Sequence, residues 1–228
     1  MGVVMNSPED HRSPDIKITG ENDGQKESRQ KKIRVFIAVN LPDHVTGWLS
    51  QIQEELKACR LPVQWTRAGN IHLTLKFLGE IAPQDAAPVF QAVDASVGGV
   101  RPMEIFAQGV GVFPGVKRPR VLWTGISGRT DLLGYLQQHM DATLNKLGFP
   151  KDERVFTGHL TIGRFKSDHR SHTRSPESLP ELLIEIMQKY QKTASLPFLV
   201  DAVHVIKSDL TPAGPIYTNL ATLRLKGC

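Results

Sequence analysis

Short apolar runs and segments of helical periodicity alternate along most of this chain. The run over Arg34–Val39 combines β-branched and aromatic residues and predicts a buried strand. After Asp43, apolar residues recur at helical spacing and predict a helix that ends near Ala58. Three further helices are predicted over 83–97, 131–147 and 182–190. The remaining predicted strands cover 63–66, 71–78, 104–112, 120–126, 159–165, 196–200, 203–207 and 216–225.

The order of these elements indicates the fold class. Strands often follow one another directly, and the pair over 63–66 and 71–78 is predicted to form a hairpin. Such an order favours an α+β fold with largely antiparallel sheets over a doubly wound parallel sheet. The segment 109–115 resembles a dinucleotide-binding fingerprint, but its glycine spacing is one residue too long and a strand follows where a helix is required. We therefore exclude that type of site.

Composition divides the chain into two parts. Residues 1–31 are rich in charge, glycine and serine and show no periodicity, so we expect a disordered tail ahead of an ordered domain over 32–228. The apolar runs are too short to span a bilayer. The two cysteines, Cys59 and Cys228, exclude a disulfide framework and a four-cysteine zinc site, and we expect a cytoplasmic protein. The formal net charge of +5 suits a polyanionic ligand but is common among other proteins.

A tetrapeptide of histidine, apolar residue, threonine and apolar residue occurs twice. It begins at His72 and at His159, in both cases within a predicted strand. Because side chains alternate on a strand, His72 and Thr74 share one face, and so do His159 and Thr161. A random order of the same residues would give about 0.08 such tetrapeptides. The repeat therefore indicates a functional site.

Two imidazoles that face one ligand supply both a base and an acid near neutral pH. In-line displacement at a phosphodiester needs this pair, one group on the attacking oxygen and the other on the leaving oxygen. The threonine hydroxyls are placed to donate hydrogen bonds to the non-bridging oxygens. This chemistry requires no metal ion, and adding His139 or His204 to the pair gives a spacing that fits no zinc site.

At these residues the chain resembles the two-histidine phosphoesterase superfamily. Within it, the chain is similar to the RNA 2′,3′-cyclic phosphodiesterases, also called 2′-5′ RNA ligases of the LigT/ThpR type. The resemblance covers about residues 33–225. The matching stretches are RVFIAVNLP at 34–42, the segment from Trp65 to IHLTLKFLG at 71–79, the segment from Phe113 to RPRVLW at 118–123, FTGHLTIGR at 156–164 and SDLTPAGPIY at 208–217.

The resemblance implies a bilobal fold with two antiparallel sheets and flanking helices, related by a pseudo-twofold axis around a central cleft. It also implies hydrolysis of a 2′,3′-cyclic phosphate to a 2′-phosphate, on RNA 3′ ends or cyclic nucleotides, without a metal or cofactor. By the same resemblance His72 protonates the 3′ leaving oxygen and His159 activates water, although the residues themselves leave the two roles interchangeable. We expect a monomer.

Four other residues are candidates for binding the substrate. Arg164 lies where the family has an arginine, and it is predicted to contact phosphate. Lys76 follows Thr74 by two residues, so it is predicted to share the face of that threonine and to reach phosphate. Trp65 and Tyr217 are predicted to stack on a base.

Several alternatives stay open at this point. The same site would also support ligation of RNA halves through a 2′-5′ bond, which is the reverse reaction. A non-catalytic nucleotide- or RNA-binding module on the same fold is a second alternative, and a phosphodiesterase for another cyclic phosphate, such as an ADP-ribose derivative, is a third. Arg118 and Arg120 flank a proline, and they either contact a second phosphate of an oligonucleotide or remain solvated.

Overall fold

The structure is a computed structural model that describes residues 31–166 and 178–227. The predicted tail therefore lies, apart from Lys31, outside the described residues. The stretch over 166–180, which is rich in serine, arginine and histidine and is predicted to be a loop, is described only at 166 and from 178 onward, where it is already helical.

The described elements follow the predicted order closely. The helices are α1 (Asp43–Ala58), α2 (Ala86–Val97), α3 (Thr130–Asn145) and α4 (Ser178–Tyr190), with short 3-10 turns at Ala68–Asn70 and Pro83–Asp85. The strands are β1 (Ile33–Val39), β2 (Val63–Trp65), β3 (Leu73–Ile81), β4 (Met103–Phe113), β5 (Val121–Gly128), β6 (His159–Phe165), β7 (Phe198–Val200), β8 (Ala202–Thr211) and β9 (Gly214–Arg224). None of these helices is both long and apolar enough to cross a membrane.

The strands of the described residues form one antiparallel sheet, in the order β7-β4-β5-β6-β3-β1-β8-β9, with β2 attached to β6. The resemblance implied two sheets, one in each lobe. Instead, the pair formed by Leu73 and Leu160 joins β3 to β6 and makes the two halves continuous. The strand order is symmetric about this junction. Each half of the sheet has one of the two histidine-bearing strands, β6 or β3, at the junction.

The predicted hairpin over 63–78 is wrong. β2 does not pair with β3 but lies antiparallel to β6, where Trp65 faces Gly163. The 3-10 turn over Ala68–Asn70 separates the two segments and redirects the chain. Local periodicity predicts that both segments are extended, but it does not specify which strand each one joins.

The helices pack on one face of the sheet. Apolar residues of all four helices join alternate residues of the strands in a single core, among them Val45, Val93, Leu136 and Ile186. A second, small cluster on the opposite side consists of Phe36, Ala38 and Ile206 with Tyr217 against them, and it contains no helical residue. We call this second side of the sheet the open face.

Candidate active site

The two histidines lie next to each other at the centre of the sheet. His72 immediately precedes β3 and His159 is the first residue of β6, and these strands pair at Leu73 and Leu160. Both leucines are fully buried in the core, so the histidines on either side of this pair project toward the open face. In a regular antiparallel ladder, side chains in this diagonal relation begin about 7–8 Å apart.

Both imidazoles are fixed in the same way by the backbone. Nδ1 of His72 donates a hydrogen bond of 2.8 Å to the carbonyl of Asn70, and Nδ1 of His159 donates one of 2.8 Å to the carbonyl of Thr157. Since a carbonyl only accepts, each Nδ1 must carry a proton. Among the described residues neither Nε2 has a hydrogen-bond partner, so each Nε2 is left for a ligand.

His72 is enclosed by aromatic rings. Phe36 stacks on it at 4.6 Å between ring centroids, and Tyr217 meets it edge-on at 5.3 Å. Burial lowers the pKa of His72 below its ordinary value of 6.5, against an opposing contribution from the hydrogen bond to Asn70. The positive charges of Arg164 and His159 lower the pKa further, which requires these groups to lie near His72.

His159 also has aromatic neighbours. Phe113 meets it edge-on at 5.1 Å between ring centroids, and Trp123 lies 6.5 Å away. Trp123 was not among the residues predicted for the site. The available signal was alternation, because Leu122 is fully buried in the core and Trp123 must then face the other side.

The threonines accompany the histidines on the open face. Thr74 pairs with Ala38, a member of the open-face cluster, and Thr161 pairs with Trp123. Both are partly exposed, and neither hydroxyl makes a hydrogen bond within the part of the chain that the structure describes. Both hydroxyls are therefore able to donate to a ligand.

A β-bulge follows the threonine in β3. Thr74 pairs with Ala38, but the next pair joins Lys76 to Ile37, which leaves Leu75 as an extra residue. Ile37 belongs to the helix-covered core, so the bulge turns Lys76 to the helix side. The prediction that Lys76 shares the face of Thr74 is therefore wrong.

Lys76 is 3% exposed and lies in an ion-pair network on the helix side. Its Nζ is 2.5 Å from Oδ1 of Asp141 in α3 and 3.0 Å from Oδ1 of Asp152, and it donates a 2.7 Å hydrogen bond to the carbonyl of Pro150. These contacts use the donors of the ammonium group. Lys76 thus ties β3 to α3 and to the segment that leads toward β6, and it is not available to a ligand on the open face.

The same irregularity occurs in β6. Thr161 pairs with Trp123 and Gly163 pairs with Leu122, so Ile162 is the extra residue of a second bulge. Its carbonyl accepts a 2.8 Å hydrogen bond from the buried side chain of Gln53.

Beyond each bulge, the strand returns a side chain to the open face. Arg164 pairs with Val121, and Phe77 pairs with Phe36 of the open-face cluster. Each lies five residues after its histidine, and both are exposed, Phe77 to 62%. Arg164 was predicted near the site from the resemblance, whereas Phe77 was missed because strict alternation puts it on the core side.

The two predicted aromatic residues have different positions. Tyr217 lies on the open face against His72, and burial raises the pKa of its phenol while Arg164 and Arg34 oppose that shift. Trp65 pairs with Gly163 and packs against the core. The Trp65 ring lies close to Gly163, since a Cβ added to that glycine would be 3.6 Å from the ring. The prediction that Trp65 lines the site is wrong, because β2 joins β6 with this side chain turned to the helix side.

The described side chains include no group of three or more His, Cys, Asp or Glu residues arranged to hold a metal ion. The site instead carries the imidazoles of His72 and His159, the guanidinium of Arg164 and the phenol of Tyr217. A matched pair of imidazoles, with two free hydroxyls and a guanidinium beside them, is equipped for acid–base chemistry on an anionic ligand.

This fold and site define a class of protein. A family profile described as LigT like phosphoesterase matches residues 39–123 and 127–217, which is more than half of the chain. The chain belongs to this family of phosphoesterases, as the resemblance predicted.

Individual relatives carry a more specific name. A protein of Methanothermobacter thermautotrophicus named RNA 2′,3′-cyclic phosphodiesterase is 34% identical over 194 residues, which cover 85% of this chain and 100% of the relative. A protein of Aquifex aeolicus with the same name is 32% identical over 198 residues, covering 86% of this chain and 100% of the relative.

Solved structures share the fold. The protein TT0787 of Thermus thermophilus superimposes with a TM-score of 0.69 at 24% identity, covering 86% of this chain and 99% of that one. The apo form of LigT from E. coli gives a TM-score of 0.63 at 18% identity, with 86% and 98% covered. The predicted α+β fold of this family is thus confirmed.

Proposed function

We propose that this protein hydrolyses the 2′,3′-cyclic phosphate of RNA 3′ ends and of cyclic nucleotides to a 2′-phosphate. The observation that carries the proposal is the pair of imidazoles on adjacent central strands, each held through Nδ1 by a carbonyl two residues earlier. Binding alone would not need two such groups. The RNA 2′,3′-cyclic phosphodiesterase names of the relatives favour this substrate and favour hydrolysis over ligation.

In this reaction one of the two imidazoles, His72 or His159, acts as the base and the other acts as the acid. Nε2 of the neutral imidazole accepts a proton from water, and the water oxygen attacks phosphorus. The bond between phosphorus and the 3′ oxygen breaks as Nε2 of the protonated imidazole donates its proton to that oxygen. The products are a 2′-phosphate and a 3′-hydroxyl. Each imidazole ends in the protonation state of the other, and exchange with solvent restores the pair.

The surrounding side chains stabilise the charge on phosphorus. The hydroxyls of Thr74 and Thr161 donate to the two non-bridging oxygens, one from each strand. Arg164 adds a positive charge on the same face, and its effect on the pKa of His72 supports its placement near the phosphate. Acid–base assistance of this kind contributes about 10²–10⁴-fold to a rate. Removing a histidine should therefore lower activity more than removing one of the surrounding side chains.

Phe77 provides a surface for the nucleobase. Its exposed ring lies 6.0 Å from Phe36, which stacks on His72, so a base on Phe77 would keep its ribose phosphate near the imidazoles. Every base has a π-face, so stacking tolerates different bases. Phe77 thus takes the base-stacking role that the sequence suggested for Trp65, while the Tyr217 ring packs against one side of the His72 imidazole.

The test is turnover of the four nucleoside 2′,3′-cyclic monophosphates and of a short RNA with that end, with and without EDTA. We expect 2′-phosphate products, unchanged rates in EDTA, and a loss of at least about 10²-fold in H72A and in H159A. H139A is the matched control, since His139 lies on α3 and contacts the carbonyl of Ser96. Retained activity in either site variant, loss of activity in EDTA, or 3′-phosphate products would contradict the proposal. Joining of RNA ends without hydrolysis would favour the ligase alternative.

A further inference from the structure

The turn between β4 and β5, residues 114–120, adjoins the site on the His159 side. It begins after Phe113, whose ring contacts His159, and it is closed by a 2.7 Å hydrogen bond from the Arg120 amide to the Phe113 carbonyl. The Phe165 amide, at the end of β6, donates a 3.0 Å hydrogen bond to the Arg120 carbonyl. The turn is thus bonded to the end of β4 and to the end of β6, the strand that carries His159.

All charged side chains of this turn are positive. Its sequence, PGVKRPR, contains Lys117, Arg118 and Arg120 and no acidic residue. All three side chains are exposed, and none of them forms an ion pair within the described ranges. Arg129, at the other end of β5, differs because it makes two hydrogen bonds to Asp131. The cations of the turn remain available to an external anion.

The charge of the turn is continuous with the charge of the site. Val121 follows the turn directly and pairs with Arg164 on the open face. Three residues span at most about 10 Å, so the backbone of Arg118 lies within that distance of Val121. Lys117, Arg118 and Arg120 therefore lie on a short stretch of backbone that leads directly to the strand paired with Arg164.

The backbone of the turn is restrained, which favours binding in a defined position. Pro114 and Pro119 fix two of its φ angles, and Pro119 is buried although both of its neighbours are exposed. The Arg118 amide also donates a 3.3 Å hydrogen bond to the Gly115 carbonyl. A restrained cluster of cations loses less conformational entropy when an extended polyanion binds.

We propose that this turn binds the phosphates of the RNA strand on the 5′ side of the reacting end. The inference rests on the proposed function, because a strand that ends at the imidazoles has its remaining phosphates only on that side. Contacts of this kind position a nucleic acid without reading its sequence. The turn therefore makes the enzyme prefer an oligonucleotide to a mononucleotide with the same terminal nucleotide.

The experiment compares two substrates, a nucleoside 2′,3′-cyclic monophosphate and an oligonucleotide that carries the same nucleotide and cyclic phosphate at its 3′ end. In the triple variant K117A/R118A/R120A we expect kcat/KM for the oligonucleotide to fall at least tenfold while the mononucleotide value changes less than twofold. Because each phosphate contact on a single strand contributes about 0.7 to the salt dependence, removing three cations should make the slope of log kcat/KM against log salt shallower by about two for the oligonucleotide alone.

R101A is the matched control. Arg101 is exposed, forms no ion pair with any described residue, and precedes the opposite end of the eleven-residue strand β4, about 35 Å along the strand from the turn. It should leave both substrates unchanged. If the triple variant unfolds more easily, as a melting curve would reveal, the single variants R118Q and K117Q are measured in the same way and should each lower the oligonucleotide value alone.

An equal loss for both substrates, or no loss for either, would overturn the inference while wild-type turnover left the proposed function intact. If the wild-type protein turned over neither substrate, the proposed function would fail, and fluorescence anisotropy with a labelled oligonucleotide ending in a 2′-phosphate would still test the turn. In that assay the triple variant should bind at least tenfold more weakly than R101A, and equal binding would overturn the inference.

Discussion

The side-chain amide of Asn70 donates a 3.1 Å hydrogen bond to the carbonyl of Pro215, at the start of β9. The backbone carbonyl of the same asparagine accepts the Nδ1 proton of His72. Asn70 thus connects two parts of the site. Its side chain binds the hairpin of β8 and β9, which carries Tyr217 against His72, and its backbone carbonyl fixes the His72 imidazole. His159 has no described counterpart to this side-chain link.

From this link we predict that N70A lowers kcat by about fivefold, since one hydrogen bond contributes about 1 kcal/mol. N145A is the control, because the Asn145 amide donates a similar 3.0 Å hydrogen bond to the Phe149 carbonyl at the end of α3. Steady-state kinetics on one cyclic mononucleotide compare the two variants. Equal activity of N70A and the wild type would show that the backbone alone positions His72.

The stacking of Phe36 on His72 predicts a pH effect. F36A should expose the imidazole and raise the pKa of His72 toward 6.5, because burial is the main cause that lowers it. The ring proton signals of His72 in an NMR titration give this pKa directly. A pKa that did not move would mean that Phe36 is not the group that removes water from His72.

The same pKa also affects stability. The unfolded chain binds the His72 proton more tightly than the folded chain does, so the free energy of unfolding rises as pH increases from the folded pKa to about 6.5, and this contribution is constant above it. H72Q should remove this part of the slope. Urea unfolding at a series of pH values between 5 and 8 would detect the change, and an identical slope in H72Q would contradict it.

Lys76 should be important for stability. K76M leaves the carboxylate of Asp141, which is 13% exposed, without its ammonium partner, and we predict a loss of about 3–5 kcal/mol in the free energy of unfolding. The double variant K76M/D141N should lose less than the sum of the single changes. K57M is the control, because the pair of Lys57 and Glu54 is exposed and contributes at most about 1 kcal/mol. Urea unfolding at pH 7 measures K76M, D141N, the double variant and K57M.

Gly111 provides room for Trp123 beside His159. A Cβ at this position would lie 2.3 Å from the Trp123 ring, so G111A must displace the indole and should cost about 1–3 kcal/mol of stability. G47A is the control, since a Cβ at Gly47 within α1 meets nothing within 4 Å and should stabilise the helix by up to about 1 kcal/mol. Equal melting temperatures of G111A and G47A would contradict the packing described for Trp123.

Phe77 should affect substrate binding. Stacking contributes about 1–3 kcal/mol per base, so F77A should lower kcat/KM for cyclic nucleotides by about 5- to 150-fold. Y135A is the control, because Tyr135 is 57% exposed on α3 and stacks on His139 instead. Unchanged kcat/KM in F77A would exclude stacking on this ring.

The sequence alone determined the elements and the catalytic candidates. Periodicity located the helices and most strands, because burial of one face imposes a repeat that is visible in the order of residues. Alternation put each histidine beside its threonine, since the two are only two residues apart and no bulge intervenes. The family profile and the named relatives confirm the family resemblance, and that resemblance suggested Arg164 as a further candidate.

Only the tertiary structure decided what lies beyond the threonines. The bulges at Leu75 and Ile162 shift the alternation by one residue, which turns Lys76 inward and returns Phe77 to the open face. A bulge arises from pairing with a neighbouring strand, so a single strand's sequence does not reveal it. For the same reason β2 joined β6, the two expected sheets became one, and the link from Asn70 to Pro215 appeared between segments 145 residues apart.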